Sequence, residues 1–119
     1  MKEMTVRAIG RVRADDAKGY YALEVDEPYR EGLLALGEFG RLNALWWAHG
    51  MDTLEFRGTL SCELPYAPGV RAGVFACRSE YRPNPIALTS CGIGSVDVDT
   101  GLITLDYIDA VDGTPLLDI

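Results

Sequence analysis

Short apolar or alternating segments, separated by residues that favour turns, make up most of this chain. Such segments are typical of strands in a small β protein. We predict strands at Thr5–Val12, Tyr20–Val25, Asn43–Ala48, Arg57–Leu64, Gly73–Ala76, Ile86–Val96 and Leu102–Ile108. One helix is predicted after Asp26, with Pro28 in its first turn, and it ends near Leu36 because Gly37 follows. Many short strands with so little helix predict an all-β fold, either a small closed barrel or a sandwich.

The size and composition of the chain agree with one small domain. A chain of 119 residues, 48% of them hydrophobic, can bury a core, and we predict a single domain over residues 1–119. No apolar run approaches the roughly 18 residues that a membrane-spanning helix needs, and the N-terminus lacks a signal-peptide pattern. We therefore expect a soluble, cytoplasmic protein with no membrane association.

The cysteines match neither a disulfide framework nor a zinc site. Cys62, Cys77 and Cys91 are odd in number and widely spaced, without the paired spacing that zinc ligands share. We expect these thiols to be reduced and mostly buried, and we expect no bound metal.

The segment Gly73–Thr89 carries polar side chains in a stiff loop between two predicted strands. Pro83 and Pro85 fix their own φ angles and bias the residues before them towards extended backbone. The loop's guanidinium, hydroxyl and amide groups belong to Arg78, Arg82, Ser79 and Asn84. A stiff loop with this content is typical of a ligand site. The alternative is a plain turn with a capping asparagine, and the residues alone leave both interpretations open.

Two motifs of the chain resemble those of a known family. Gly73–Thr89 reads Gly-Val-Phe-Ala-Cys-Arg-Ser-Glu-Tyr-Arg-Pro-Asn-Pro-Ile-Ala-Leu-Thr. It resembles the signature of the TrmO (TsaA-like, YaeB) family, Gly-Val-Phe-Ala-Thr-Arg-Ser-Pro-x-Arg-Pro-Asn-Pro-Ile-Gly-Leu-Ser. The segment Asp112–Ile119 resembles the family's Asp-Gly-Thr-Pro-x-Leu-Asp-Ile. Weaker similarity lies at Leu36–Phe39 and Leu45–His49, and the matches occur in the family's order.

This resemblance implies a fold and an activity. The family's N-terminal module is an antiparallel β-barrel that binds S-adenosylmethionine without a Rossmann sheet, which favours a small antiparallel β-barrel with one or two short helices. Family members methylate N6 of N6-threonylcarbamoyladenosine beside the anticodon of certain tRNAs, and they pair as homodimers. The resemblance therefore predicts an S-adenosylmethionine-dependent tRNA methyltransferase that forms a homodimer. Because the chain stops at Ile119, where the family continues, it also predicts a short form without the C-terminal domain.

The resemblance also assigns residues to the methyl donor. Arg78 matches the first arginine of the motif and is predicted to bind the donor carboxylate, which a guanidinium can hold through two parallel hydrogen bonds. Leu88 is predicted to line the adenine slot. The predicted donor-binding residues are Arg78, Ser79, Leu88, His49, Gly50, Asp112, Gly113, Thr114 and Pro115. The alternative for His49 is a packed residue beside two tryptophans, and the alternative for Asp112 and Gly113 is an ordinary turn.

Methyl transfer from a sulfonium depends mainly on alignment, because the leaving group departs neutral. The exocyclic nitrogen still has to lose a proton. The candidate acceptors of that proton, predicted as catalytic residues, are Asp112, Asp118 and Tyr107. Arg82 and Asn84 are predicted to contact substrate or to brace the loop. For Arg82, bracing is expected through an ion pair with Glu80, Asp112 or Asp118.

The charge of the chain complicates the prediction of tRNA as substrate. A net charge of −7 repels phosphates unless a local basic patch overcomes it. One candidate patch is the face of the first strand that carries Arg7, Arg11 and Arg13, and the alternative is an ordinary solvated face. The chain departs from the family motif at Cys77, Glu80, Ala87 and Thr89. Two other functions remain: a methyltransferase for a small-molecule acceptor, and a non-enzymatic donor-binding module.

Overall fold

Strands dominate the regular structure of residues 2–119, which the computed structural model describes. The strands are β1 (Gly10–Asp15), β2 (Tyr20–Val25), β3 (Arg41–Trp47), β4 (Ser61–Leu64), β5 (Ala67–Gly73), β6 (Ile86–Asp97), β7 (Leu102–Leu105) and β8 (Pro115–Asp118). The helices are the α-helices α1 (Leu54–Arg57) and α2 (Val74–Cys77) and the 3-10 helices Glu27–Leu33, Leu36–Glu38 and His49–Met51. Within this part of the chain, no helix is long and apolar enough to cross a membrane.

Six of the strands close into a barrel in the order β1, β2, β7, β6, β3, β8. β2 pairs antiparallel with β1 and β7, β7 pairs antiparallel with β6, and β8 pairs antiparallel with both β3 and β1. Closure leaves the sheet without a free edge, which protects it from pairing with other chains. The predicted all-β barrel with short helices is confirmed.

Alternate residues of the barrel strands point inward and form its core. In β1, Val12 is fully buried whereas Arg11 is exposed. Gly10 lies where β1 and β2 approach each other, and a Cβ there would overlap the carbonyl oxygen of Glu24. The buried apolar side chains include Leu23, Val25, Leu42, Ala44, Trp46, Cys91, Ile103 and Leu116. Burying one leucine or isoleucine contributes about 1.5–3 kcal/mol, so this core accounts for much of the barrel's stability.

The chain divides into two compact units, which are described separately. The barrel unit comprises the chain up to Trp47 together with Leu88–Ile119, and the motif unit is Ala48–Ala87. In the motif unit β4 and β5 form an antiparallel hairpin, with Ser61 opposite Gly73. The single domain over residues 1–119 stays a prediction.

Two predictions of local structure in the motif unit are wrong. Gly73–Ala76, predicted as a buried strand, supplies the N-cap and most of α2. Only Val74 of this helix is buried, as expected for a single helical turn with one inward position. Four apolar residues are too few for their periodicity to distinguish a strand from a helix. Conversely, the segment around Pro65–Gly69, predicted as a loop, contributes to β5, a mostly exposed strand of the kind in which proline and glycine are tolerated.

The other differences concern boundaries. The first strand begins at Gly10 rather than at Thr5, and the predicted helix after Asp26 is a 3-10 helix. β8 was absent from the predicted strands, because four residues beginning with a proline carry little strand signal. Its pairing with β1 and β3 nevertheless closes the barrel.

Candidate functional site

Arg78 directly follows α2 and has a left-handed backbone, with φ 55° and ψ 35°. This conformation costs a residue other than glycine roughly 1–2 kcal/mol, and residues held in it cluster at functional sites. Its Nη2 donates a hydrogen bond of 2.8 Å to the carbonyl oxygen of Ile86. The residue is exposed, and a guanidinium has five N–H donors. Arg78 is therefore oriented by one hydrogen bond and retains the chemistry needed to bind a carboxylate.

Arg82 braces the same loop from inside. Arg82 is only 9% exposed. Its Nη1 donates hydrogen bonds to the carbonyl oxygen of Val74 at 3.4 Å and to that of Ser79 at 3.2 Å. The guanidinium carbon lies 5.7 Å from the centre of the Phe75 ring. Burial, and after it the charge of Arg78, lower the pKa of Arg82. These contacts fit the bracing role rather than contact with a substrate.

The partners of Arg82 differ from those expected. The sequence predicts an ion pair with the carboxylate of Glu80, Asp112 or Asp118, but the observed partners are backbone carbonyl oxygens. A tight turn leaves carbonyl groups without backbone partners, and a buried arginine beneath the turn satisfies them.

Arg57 holds the proline-containing part of the loop through hydrogen bonds. It is not among the residues predicted for the site. Its Nε donates to the carbonyl oxygen of Pro83 at 2.7 Å, and its Nη2 donates to Oδ1 of Asn84 at 3.1 Å. Its Nη1 also pairs with Asp52 at 3.1 Å. Asn84 lies 27 positions away in the chain, so no local pattern indicates the contact. Asn84 is thereby engaged in holding the loop.

The remaining candidates of the motif unit lie at its surface. Ser79 accepts a hydrogen bond of 3.2 Å from the backbone N–H of Tyr81 through its Oγ. The Tyr81 ring packs against Phe56, with 4.6 Å between ring centres. His49 and Gly50 are exposed at the start of a 3-10 helix, so His49 is not the packed core residue considered as its alternative.

Asp112 lies in the barrel unit beside the end of the β1–β2 hairpin. Its Oδ1 accepts a hydrogen bond of 3.0 Å from the backbone N–H of Ala14 and lies 3.4 Å from Nε of Arg13. It lines an open groove of about 370 Å³ together with Arg13, Ala14, Asp15, Asp16 and Tyr20. Because one oxygen is already engaged, proton acceptance by Asp112 would have to use the other.

Gly113 and Thr114 form the turn that leads into β8. Gly113 has φ +83°, which favours glycine, and its N–H donates to the carbonyl oxygen of Val12 at 2.8 Å. Thr114 is 1% exposed, and its hydroxyl donates to the carbonyl oxygen of Val111 at 2.7 Å. The Thr114 side chain thus stabilises the turn and is not presented to a ligand. The partly exposed Pro115 begins β8.

Three further candidates are exposed in the barrel unit. Leu88 and Tyr107 are 50% and 52% exposed, and Asp118 is exposed near the end of β8. The Tyr107 ring packs edge-on against Tyr21, with 5.1 Å between ring centres. Oδ1 of Asp118 accepts a hydrogen bond from the N–H of Ile119 at 2.9 Å. Leu88 offers the apolar surface expected of an adenine slot.

Two further carboxylates lie near these candidates and are not among the site residues predicted from the sequence. Asp109 accepts a 2.6 Å hydrogen bond from the hydroxyl of Thr89, which in turn accepts one of 3.0 Å from the indole N–H of Trp46. Asp106 accepts the backbone N–H groups of Gly92 and Tyr107, both at 2.7 Å. The hydrogen bond from Gly92, the largest cause, lowers the pKa of Asp106. Asp106 therefore stays ionised and makes a poor proton acceptor.

The net negative charge of the chain belongs to one of the two units. The motif unit contains four arginines and four carboxylates, so its net charge is zero, and the whole net charge of −7 belongs to the barrel unit. On β1, the predicted parity of the arginines holds, but Arg11 pairs with Glu24 at 2.7 Å and Arg13 lies 3.4 Å from Asp112. These carboxylates offset the charge of the predicted basic face. Within residues 2–119, no group of three or more histidine, cysteine or acidic side chains is arranged to hold a metal ion.

Residues 11–119 match the family described as the tRNA-methyltransferase O N-terminal domain. The chain belongs to this family. The TrmO resemblance drawn from the two motifs is thereby confirmed. The matched residues include both motifs, the whole barrel from Arg11 onward and the motif unit.

Named relatives agree with the family. A probable S-adenosyl-L-methionine-binding protein of Halobacterium salinarum is 35% identical over 97 residues, which are 82% of this chain and 71% of that protein. The tRNA (adenine(37)-N6)-methyltransferase of Mus musculus is 36% identical over 87 residues, which are 73% of this chain but 19% of that protein.

A solved TrmO structure from Pseudomonas aeruginosa shares the fold. It superimposes with a TM-score of 0.70 at 24% sequence identity and covers 98% of this chain. This chain spans only 54% of that structure's chain. The TrmO fold therefore extends over nearly the whole of the present chain. The assignments of individual residues to donor or catalysis stay predictions.

Proposed function

We propose that this chain is an S-adenosylmethionine-dependent methyltransferase in which Arg78 binds the carboxylate of the donor. The observation that carries the proposal is the family match over residues 11–119, with the Gly73–Thr89 motif inside it. Relatives described as S-adenosyl-L-methionine-binding proteins and as tRNA methyltransferases support it.

The residues present fit the donor in kind. Its carboxylate needs a fork of N–H groups, and the exposed Arg78 supplies one whose orientation is fixed by the hydrogen bond to Ile86. Its adenine needs apolar surface, and Leu88 exposes half of its side chain. Arg57 and Arg82 hold the loop through carbonyl and amide oxygens and so restrict where Arg78 can lie.

Methyl transfer from S-adenosylmethionine requires few chemical steps from the protein's own residues. When bound, S-adenosylmethionine supplies an electrophilic methyl group whose leaving group is a neutral thioether. The chain's own residues have to position the acceptor, exclude water and receive one proton. Asp118 and Tyr107 are exposed and remain candidates for the proton, and Asp109 joins them because its carboxylate is exposed next to Thr89. Asp112 is a candidate on the same terms: like Asp109 and Asp118, it already accepts a hydrogen bond at one oxygen and would take the proton on the other.

We propose tRNA as the acceptor, with N6 of N6-threonylcarbamoyladenosine next to the anticodon as the methylated atom. The neutral motif unit supports this choice, because phosphates meet no net repulsion from the unit that carries Arg78. A tRNA-modifying enzyme works where tRNA is used, so we propose a cytoplasmic location. We also propose a homodimer, since the large side chain of Phe75 is 72% exposed beside the loop.

A small-molecule acceptor is the second candidate. It is favoured by the net charge of −7 on the barrel unit and by the pairing of Arg11 with Glu24, which removes a basic strand face. Such an acceptor would need no phosphate-binding surface.

The test is methyl transfer to defined tRNA. Labelled S-adenosylmethionine is incubated with the protein and with one tRNA species, prepared with and without N6-threonylcarbamoyladenosine. We expect label only in the modified tRNA, and loss of transfer in Arg78→Ala but not in Arg71→Ala, another exposed arginine of the motif unit. Donor binding without transfer to any tRNA would reject tRNA and favour the small-molecule acceptor.

A further inference from the structure

Two cysteines of the motif unit form a close pair. Cys62 on β4 and Cys77 at the end of α2 are 15 positions apart, yet their Sγ atoms lie 3.4 Å from each other. Both residues are partly exposed, whereas Cys91 is fully buried in the barrel unit. The expectation that the cysteines are mostly buried therefore holds for Cys91 alone. No local pattern in the sequence indicates the pair, because tertiary structure brings its members together.

The backbone holds the pair in place from both sides. Cys62 lies opposite Ala72 in the β4–β5 hairpin, and α2 begins directly after β5. The N–H of Val74 donates to the carbonyl oxygen of Leu60 at 3.0 Å, which ties the start of α2 to the residue before β4. The sulfur of Cys77 in turn contacts the carbonyl oxygen of Gly73 at 3.4 Å. The two thiols thus face each other as a consequence of the hairpin and not by free rotation of long side chains.

We propose that Cys62 and Cys77 are a redox-active dithiol, which a small-molecule disulfide such as glutathione disulfide converts into an intrachain disulfide that displaces Arg78. The sulfur atoms need to approach by a little over 1 Å, to the disulfide bond length of about 2.05 Å. A change of side-chain torsion with a small shift of α2 provides that movement.

The reaction balances as two thiol–disulfide exchanges. The thiolate of one cysteine attacks a sulfur of glutathione disulfide, forming a mixed disulfide and releasing one glutathione thiolate. The thiolate of the second cysteine attacks the cysteine sulfur of the mixed disulfide and releases the other glutathione. Two electrons pass from the two cysteines to glutathione disulfide, which is reduced to two molecules of glutathione, and the two thiol protons end on the released glutathione thiolates or in water.

The surroundings set the pH at which the exchange becomes fast. The hydrogen bond with Cys77, and next partial burial, raise the pKa of Cys62, while Ser79 and Arg71 act in the opposite direction. Because only the thiolate reacts, oxidation accelerates as the pH rises towards the pKa of Cys62. Cys91 has its pKa raised to about 11, chiefly by burial, and stays protonated and inert under the same conditions.

The disulfide acts on Arg78 because Arg78 follows Cys77 directly. Its left-handed backbone and its hydrogen bond to Ile86 define one position of the guanidinium, and pulling Cys77 towards β4 moves that position. Moving the guanidinium misaligns its hydrogen bonds with the donor carboxylate, and losing one such charge-assisted bond corresponds to a loss of affinity of about tenfold or more. This second step rests on the proposed donor site, whereas the formation of the disulfide does not.

The first experiment tests the disulfide alone. The folded protein is equilibrated with glutathione disulfide, quenched with acid and unfolded. Its mass is measured directly, and the remaining thiols are counted by alkylation and a second mass measurement. We expect three free thiols to fall to one, a chain lighter by two hydrogen atoms, and full reversal by dithiothreitol. Cys91→Ser should form the same disulfide, with its two thiols falling to none, whereas Cys62→Ser and Cys77→Thr should stop at a mixed glutathione disulfide. Retention of all three thiols, a stable mixed disulfide or a disulfide between chains in the wild type would overturn the proposal.

The second experiment tests the effect on Arg78. S-adenosylmethionine is titrated into the reduced and the oxidised protein, and we expect oxidation to weaken binding about tenfold or more. The double variant Cys62→Ser/Cys77→Thr, treated identically, controls for oxidation elsewhere, because it carries neither thiol of the pair. Equal affinity of both forms would reject the effect of the disulfide on Arg78. Failure of the reduced form to bind would reject the proposed donor site, whereas formation of the disulfide is decided by the first experiment alone.

Discussion

The guanidinium of Arg57 and the side-chain amide of Asn84 are joined by a hydrogen bond of 3.1 Å across 27 positions of the chain. A second bond of 2.7 Å reaches the carbonyl oxygen of Pro83, the neighbour of Asn84. Two bonds from one planar group to neighbouring residues restrain the orientation of the loop as well as its distance from α1. The loop that carries Arg78 thus owes its shape to a residue outside the motif.

Arg57→Lys is expected to loosen this loop. Lysine keeps the positive charge but cannot reproduce the fork, so the free energy of unfolding should fall by about 1–2 kcal/mol. Affinity for S-adenosylmethionine should fall as well, because Arg78 is less well positioned. Urea denaturation and donor titration measure the two effects. Arg71→Lys, at an exposed position of β5, is the matched control, and an equal effect of both substitutions would contradict a specific role for Arg57.

Two substitutions of Arg78 distinguish the contribution of its guanidinium from the cost of its left-handed backbone conformation. Arg78→Gly and Arg78→Ala both remove the guanidinium, but glycine adopts the observed φ of 55° without strain. The glycine variant should therefore be more stable than the alanine variant by about 1 kcal/mol, measured by thermal unfolding, while both lose donor binding. Equal stabilities would mean that the left-handed backbone is not maintained in solution.

The chain of hydrogen bonds through Thr89 should contribute to the stability of the barrel unit. Thr89→Val leaves the indole N–H of the buried Trp46 without its acceptor, at a cost of about 1–3 kcal/mol in the free energy of unfolding. Thr89→Ser retains the hydroxyl and should cost much less. Urea unfolding followed by tryptophan fluorescence compares the two, and a serine variant as unstable as the valine variant would show that packing, not hydrogen bonding, matters there.

Tyr21 should titrate at unusually high pH. Its hydroxyl donates to Asp16 at 2.6 Å, and this bond, followed by burial, raises the pKa of Tyr21 to about 12. The resulting stabilisation is fully present below the ordinary tyrosine pKa of about 10 and is lost as the pH rises through about 12. Ultraviolet titration of tyrosinate should show one late-titrating tyrosine that disappears in Tyr21→Phe. In Asp16→Asn it should titrate earlier, and an unchanged titration would contradict the assigned cause.

Sequence patterns predict barrel strands well where β-forming residues follow a clear turn. Tyr20–Val25 is predicted with the bounds that the structure shows, because its residues favour strands and a turn at Lys18 and Gly19 precedes it. Gly73–Ala76 was mistaken for a strand, since one helical turn with a single buried residue has no periodicity to recognise. β8 was not predicted, and its formation depends on tertiary pairing with β1 and β3.

The sequence indicates which motif forms the candidate site, but it does not indicate which residues hold the loop of that motif in place. The sequence indicated Arg78 and a stiff loop, and the structure adds the left-handed backbone and the bond to Ile86. The supports of that loop come from residues far along the chain, such as Arg57. The approach of Cys62 to Cys77 has the same origin. Contacts of this kind carry no local signal, so a single sequence does not reveal them.

Calorimetric titration of S-adenosylmethionine into the wild-type protein and into Arg78→Ala tests whether Arg78 binds the donor. We expect saturable binding in the micromolar range by the wild type and its loss in the variant, with circular dichroism showing that both are folded. Absence of binding by the folded, reduced wild type, or equal binding by the variant, would contradict the role of Arg78 in donor binding.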